Sequence, residues 1–448
     1  MKAKVLLASL LAATFMLPAT AQTDRAWSLQ ECLDYALKNN IQIQKGALTE
    51  QQGEVSLQQQ KAQLLPSLSF STNQSMGYRP FQETTNIVQN GQVTSTTNRV
   101  TYQGSYNLSA QWMVWNGGIN RMNILAQQLK NEITALSNEQ TELGIQEQIA
   151  NLYVSILYTT EAKKVAEQLA QTAKTQWERA QQMQEQGQLA KAEVSRLEAQ
   201  YNSARYDVVN SETQIANYKR QMKSLLQIDL GKSFDVAGEI PSHEQVMALI
   251  PSAQQVYDIA LATRPEIRSA ERNIEAASLQ ERIAKAGYLP TISMNASMGD
   301  SHYSASREKT GEQMKRNLNG NLGVSVSVPI FDQRRNKSAV EQAKLQHTTS
   351  QLDLVDTRNR LSSTIEEYWL NANSNQQRYI AAKSTLESQE ESYKLLDEQY
   401  KEGLKNTVDL LQGRDALLNA EQNLLQSKYN TLLYIQLLKF YSGEGINL

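Results

Sequence analysis

The chain has 448 residues, with 44 Lys+Arg against 46 Asp+Glu and a formal net charge of −2. No basic surface advertises nucleic acid, so none is expected as a partner. With 8 prolines, 20 glycines and 7% aromatics, its usage is that of long helices with exposed polar faces, not of a compact enzyme.

At the N-terminus, Lys2 and Lys4 precede the apolar run Val5–Leu17, and Ala19-Thr20-Ala21 supplies small residues at the cleavage positions. This pattern predicts a signal peptide over residues 1–21, cut before Gln22, so that the mature chain leaves the cytoplasm. The one cysteine, Cys32, sits in a helical pattern among Leu29, Leu33 and Leu37; it reads as a buried thiol and excludes a disulfide within the chain. No later run approaches the ~18 apolar residues of a transmembrane helix. A β-barrel is then the route by which such a chain would span a membrane.

The chain is a tandem repeat. Ser28–Gln44 aligns with Ser252–Arg268, and Ala62–Ser71 with Ala286–Asn295, each 224 residues apart. Further on, Trp115-Asn116 pairs with Phe331-Asp332 and Gly187 with Gly403 at a spacing of 216, so the first copy carries extra loop residues between Pro66 and Trp115. The predicted organisation is a first copy over 22–232, a linker over 233–251 and a second copy over 252–448. Strands are expected near 66–115 and 290–331, and hairpin tips near 187 and 403.

In each copy a capped helix begins at Ser28 or Ser252, with Glu31 or Gln255 three residues on, and runs with small breaks to Leu65 or Leu289, where Pro66 or Pro290 ends it. The period then changes to two. Val100, Tyr102, Tyr106, Leu108, Ala110, Trp112 and Val114 share one face, with Gly104 the exception; Leu322, Val324, Val326, Val328 and Ile330 repeat the pattern. Shorter strands precede them at Leu68 and Phe70 and at Ile292–Met298. The polar stretches Asn73–Asn98 and Gly299–Asn317 read as exposed loops. Long helix patterns follow, Ile119–Gln186 and Arg335–Glu402, each proline-free and able to reach on the order of 100 Å. Return helices run over Ala190–Leu226 and Leu404–Tyr441, the second with Leu404, Leu411, Leu418, Leu425 and Leu432 seven apart and Leu410, Leu417 and Leu424 beside them. Such rows mark helices packed side by side with a neighbour on each flank. The linker holds a possible short strand, Ser233–Val236.

Four strands with one apolar face are too few to close a barrel, and open edges do not survive in lipid. Subunits must pool their strands, and strand count alone permits a dimer or a trimer. Catalytic chemistry finds no support. His243, His302 and His347 lack metal spacing, no Gly-rich phosphate loop appears, and Met294 and Met298 fall on the apolar strand face, where packing against lipid is expected over soft-metal binding. No enzyme activity, cofactor or metal is expected.

The duplicated helix–strand–strand–helix order carries further motifs: Leu65-Pro66-Ser67-Leu68-Ser69, repeated at Leu289–Ser293, and the turn Trp115-Asn116-Gly117-Gly118. To these are added the paired tips Gln184…Gly187…Glu193-Val194 and Tyr400…Gly403…Asp409-Leu410. Together, over essentially the whole mature chain, they resemble the TolC family of outer-membrane efflux proteins. The resemblance implies a mainly α fold with a membrane β-barrel part. A homotrimer would share a twelve-stranded barrel in the outer-membrane lipid, continued by a long α-helical barrel across the periplasm. It implies the exit duct of a tripartite efflux pump or type I secretion system, docking a periplasmic adaptor protein and an inner-membrane transporter of RND or ABC type. The hairpins at Gly187 and Gly403 would lie at the periplasmic tip and contact the adaptor. The family's gate positions fall on Tyr400, Lys405 and Asp409, and on Ala192 and Glu193. Lys405 replaces an arginine and so loses bidentate geometry. Asp409 matches the first of two constricting aspartates, while Gln412 occupies the second position, so a single acidic ring is expected in place of two. The competing expectation is a soluble periplasmic coiled-coil scaffold or adaptor, with Asp409 a solvated charge favoured by the helix dipole.

Overall fold

The computed structural model of the protein describes residues 26–81, 85–89, 92–96, 99–229, 231–238, 241–304 and 308–446. The expected signal peptide and its cleavage point lie outside the described residues. The first helical run opens on the expected capping box, in which Ser28 Oγ accepts from Glu31 N at 3.2 Å and Glu31 Oε2 accepts from Ser28 N at 2.9 Å. It breaks once, at Asn40, into α1 (Leu29–Asn39) and α2 (Ile41–Ala62). Asn40 is extended and recaps the chain by accepting from Gln42 N.

Next come β1 (Ser67–Tyr78), the hairpin β2 (Thr85–Gln89) and β3 (Gln92–Thr96), and β4 (Val100–Asn116). A long helix, α3 (Ile119–Glu185), then returns as α4 (Lys191–Leu226). The linker contains a short turn of helix, α5 (His243–Val246). The second copy gives α6 (Ala253–Thr263), α7 (Pro265–Ala286), β5 (Thr291–Tyr303), α8 (Thr310–Asn317), β6 (Asn319–Ser327), α9 (Arg335–Lys401) and α10 (Thr407–Tyr441). Its helical break falls at Arg264, the position equivalent to Asn40, followed by a proline at the first helical position. α3 and α9 are each 67 residues long.

Three expectations need correction. The stretches read as loops are partly ordered. β1 continues to Tyr78 and the β2–β3 hairpin follows, while β5 continues to Tyr303 and α8 fills the second stretch. α8 takes the place of a longer β6. Gln313 Oε1 accepts from Tyr303 N at 2.9 Å and Asn317 Nδ2 donates to Ser301 O at 2.6 Å, so side chains satisfy edge groups that a strand would otherwise pair. β6 ends at Ser327, which leaves Val328 and Ile330 beyond it. The possible strand Ser233–Val236 reduces to one bridge between Val236 and Trp27.

The four strands form one antiparallel sheet in the order β1-β4-β5-β6. Residues opposite one another share a face, which yields rows Leu68–Ala110–Ala296–Leu322, Phe70–Leu108–Met298–Gly320 and Trp112–Met294–Val324. A bulge between Met113 and Trp115 sets Trp115, in place of Val114, opposite Ile292. Both tryptophans therefore stand at the helix end of the apolar face, and Trp112 Nε1 donates to Leu64 O at 2.8 Å. At the other end, Tyr102 and Tyr106 flank the His302 ring, which lies over Gly104. From Tyr102 to Trp112 is roughly 33 Å along a strand, or about 25 Å along a barrel axis at a 40° tilt.

The largest buried cluster lies where α1 and α6 meet the middles of α3 and α9 and the ends of α4 and α10. It includes Leu33, Ile149, Met222, Ile267, Ile365 and Leu438. The linker lies against it, with Gln376 Nε2 donating to Val246 O at 3.0 Å and His243 Nδ1 paired with Tyr379 Oη at 3.0 Å. Among the described residues no helix is long and apolar enough to cross a membrane.

Candidate functional site

The expected tip residues occupy two helical hairpins of the same construction. After α3, Gly187 has φ +73°, its N–H donates to Gln184 O at 2.9 Å, and Gln188 N donates to Met183 O at 2.9 Å. After α9, Gly403 has φ +74°, its N–H donates to Tyr400 O at 3.1 Å, and Leu404 N donates to Gln399 O at 2.8 Å. This pair of bonds is the Schellman closure, which needs a left-handed residue at the position each glycine holds. A Cβ at either glycine would meet nothing within 4 Å, so the requirement is conformational and not steric.

Beyond the glycines the hairpins differ. α4 starts at Ala190 without a side-chain cap, whereas α10 starts at Asn406, whose side chain accepts from Asp409 N at 2.9 Å. Lys405 Nζ lies 3.9 Å from Asp409 Oδ2, with the lysine side chain exposed and the aspartate half-buried. Asp409 is thus held in the first turn of α10, where the helix dipole favours a carboxylate. Gln412 is exposed three residues on, and Tyr400 is half-buried. On the first hairpin Ala192 is exposed. Glu193 is half-buried, with Oε1 3.6 Å from Arg196 Nη1 and Oε2 buried without a partner. The structure brings Lys405 and Asp409 together. Among the described residues no hydrogen bond or ion pair joins Ala192 or Glu193 to Tyr400, Lys405, Asp409 or Gln412.

What joins the hairpins lies one to two turns above Asp409, and sequence reasoning missed it. Arg414 is buried with its side chain 4% exposed. Its Nη2 donates to Asp415 Oδ1 at 2.7 Å, and Gln200 of α4, with its amide oxygen turned toward the guanidinium, accepts from Nη1 at 2.7 Å. Nearby, Gln176 Nε2 of α3 donates to Tyr393 Oη of α9 at 3.2 Å, and burial raises the Tyr393 phenol above its ordinary range. Leu411 packs against the Ala180, Val194 and Leu197 cluster, and Trp177 stacks on Tyr201. A signal for Arg414 existed. It falls between Leu410 and Leu417 on the buried stripe of α10, so it is a charge placed on an apolar seam.

The histidines stay apart, in the linker, on β5 and on α9. Among the described residues no three potential metal-ligating side chains come together. The tip can offer charge, polar contacts and an exposed leucine, Leu404, to whatever meets it.

A sequence model of the family described as outer membrane efflux protein matches residues 32–226 and 256–444. The alkaline protease secretion protein AprF of Pseudomonas aeruginosa is 23% identical over 411 residues, covering 91% of this chain and 82% of that one. Among solved structures, CusC, described in terms of folding and transmembrane channel formation, superposes with a TM-score of 0.75 at 18% identity, covering 93% of this chain and 92% of the other. The outer membrane protein VceC of Vibrio cholerae superposes with a TM-score of 0.73 at 17% identity, covering 94% and 97%. These two likenesses concern the fold.

Proposed function

Because the chain belongs to the outer membrane efflux protein family, we propose that three copies close into one duct, each lending four strands to a shared barrel and four long helices to the tunnel below it. The protein is an outer-membrane channel reaching into the periplasm, an exit duct for efflux or type I secretion, and not an enzyme. The observation that carries the assembly is the open sheet. Among the described residues β1 and β6 end it with free edges, and Leu68, Phe70, Leu322, Val324 and Val326 are exposed on one face. A sheet with that face in lipid must have both edges paired, and another copy's complementary edge supplies the pairing.

In this reading substrate is passed from an energised inner-membrane transporter, of RND or ABC type, through a periplasmic adaptor that grips the hairpins at Gly187 and Gly403. The exposed, glycine-closed tips support that docking. Asp409 of each copy contributes to one acidic ring that draws cations to the tunnel mouth, with Lys405 partly neutralising it and Gln412 adding no second ring. Detergent-purified protein should have the native mass of three chains and conduct ions across a planar lipid bilayer. A soluble periplasmic scaffold would instead extract without detergent and carry no current, and that pair of results would end the channel reading.

A further inference from the structure

The polar face of the sheet carries no charge until its outer end. The residues that alternate with the apolar rows are serine, threonine, asparagine, glutamine and glycine, with Met113 and Tyr303 the exceptions. Among the described strands the one formal charge is Asp300, which stands opposite Tyr106 on the apolar side. One residue beyond the last pair of β1 and β4, Tyr78 and Val100, Arg79 N donates to Arg99 O at 2.8 Å. Pairing thus continues past the strand ends. By alternation both arginines fall on the polar face, which in the duct reading lines the lumen.

Like charges set directly opposite one another destabilise a strand pair unless something answers them. Both arginines are exposed, and among the described residues neither guanidinium has a hydrogen bond or an ion pair. Elsewhere the chain supplies carboxylates to its arginines, as Glu266 to Arg264, Glu132 and Glu275 to Arg272, Glu308 to Arg316 and Asp356 to Arg360. The residues 80–98 between Arg79 and Arg99 hold one acid, Glu83, outside the described residues, so the loop is net positive. At the same end α8 and its cap expose Lys309 and Lys315 against Glu312.

We propose that Arg79 and Arg99 of each copy form a collar of guanidinium groups at the outer mouth of the lumen, and that this collar binds soluble, multiply charged oxyanions of the phosphate class. The proposal rests on the duct reading above and adds a binding site at the end opposite Asp409. Arginine suits the task, because its planar fork of donors matches phosphate oxygens two at a time and it keeps its charge at any physiological pH. A neutral wall below the collar leaves its field uncancelled, and the low-dielectric surroundings of a narrow mouth concentrate it. The duct then has opposite signs at its two ends, carboxylates at the periplasmic tip and guanidiniums at the exit, which holds anions as rings of arginine do in other pores. Tyr78 and Val100, next along the strands, lie on the apolar side. The arginines therefore face away from the bilayer, and the anion comes from solution and not from a lipid headgroup.

Full-length protein added to one side of a phosphatidylcholine bilayer inserts barrel first, because the long helical part cannot cross, and its outer mouth then faces the far side. Inorganic tripolyphosphate on the far side should block the current at a concentration about tenfold below that needed on the near side, and the block should weaken as salt is raised. Arg79→Gln with Arg99→Gln should raise the far-side blocking concentration about tenfold. The quantity read is the ratio of blocked to unblocked current in the same channel, so a change in conductance itself cancels. Arg79→Lys with Arg99→Lys, which keeps the charge and loses the fork, should fall between. Lys61→Gln, which removes an exposed lysine at the helix end of the sheet, should be blocked as the unaltered protein is. Equal block from the two sides, or block unmoved in the double glutamine variant, would overturn the collar and leave the duct standing. A far-side effect seen only after acidic phospholipid is added to the bilayer would assign the arginines to headgroups and overturn their place in the lumen. Absence of any current would remove the duct, and the collar with it.

Discussion

The two elbows that turn strand into long helix follow one backbone with different residues. At Gly117-Gly118 φ is +69° and +81°; at Gln333-Arg334, the equivalent pair, it is +55° and +65°. In the first elbow glycine is required twice over at Gly117, because a Cβ would sit 2.9 Å from Ala286 O and 3.1 Å from Leu289 Cβ. In the second, two side chains occupy the left-handed region at a cost of about 1–2 kcal/mol each. The tips reverse the contrast. Both keep glycine at nearly the same φ, yet only the second adds a capping asparagine and the Lys405–Asp409 pair. Duplication conserved the turns of the chain, and the copies diverged in what those turns carry.

The sharpest way to break that comparison is Gly117→Ala. It adds left-handed strain to a clash with an immobile carbonyl, and should cost about 2–3 kcal/mol in thermal unfolding, against about 1 for Gly118→Ala, which meets nothing within 4 Å. Equal losses at the two positions would mean that the close approach at Gly117 is unimportant. Next in size, Asp409→Ala should raise the divalent-cation concentration needed to block current by about tenfold, a difference of about 1.4 kcal/mol, while Glu193→Ala leaves it nearly unchanged. A matching shift from Glu193→Ala would spread the gate over both tips. Asn406→Ala should cost about 1 kcal/mol of local stability, read as faster amide exchange at Asp409, and Ala190→Asn should slow exchange in the first turn of α4 by a similar factor. The smallest effect is a gain. Arg334→Gly relieves left-handed strain but loosens the unfolded chain, for a net stabilisation of roughly 0.5 kcal/mol, and a fall in melting temperature would contradict it.

Much of the architecture was legible. Periodicities of two and of three to four placed the sheet strands and long helices, and the break at Asn40 and Arg264 recurs at the repeat spacing. α8 was not legible, because its eight residues, Thr310–Asn317, are held by Gln313 and Asn317 reaching the edge of β5 and carry no apolar stripe of their own. The bulge before Trp115 was hidden for a similar reason, since strict alternation predicts Val114 on the apolar face until one extra residue shifts the register. At the tip, Gly187 and Gly403 could be named from spacing, and Asp409 only from the family resemblance. Arg414 carried a signal as a charge on an apolar seam, but its pairing with Gln200 could not be read, the two being far apart in the chain.

By itself, then, the sequence determined the repeat, the glycine turns, the sheet's apolar face and the stripes that each long helix offers, because these depend on local backbone preference and on period. Which stripe meets which neighbour was decided only in three dimensions. α2 and α7 hold equivalent positions and have similar patterns, but the packing of α7 on α3 shows arginines answered by glutamates, and the packing of α2 leaves leucine and valine uncovered. Hydrophobic period records that a face must be buried; only the geometry of the folded chain says what is left to bury it.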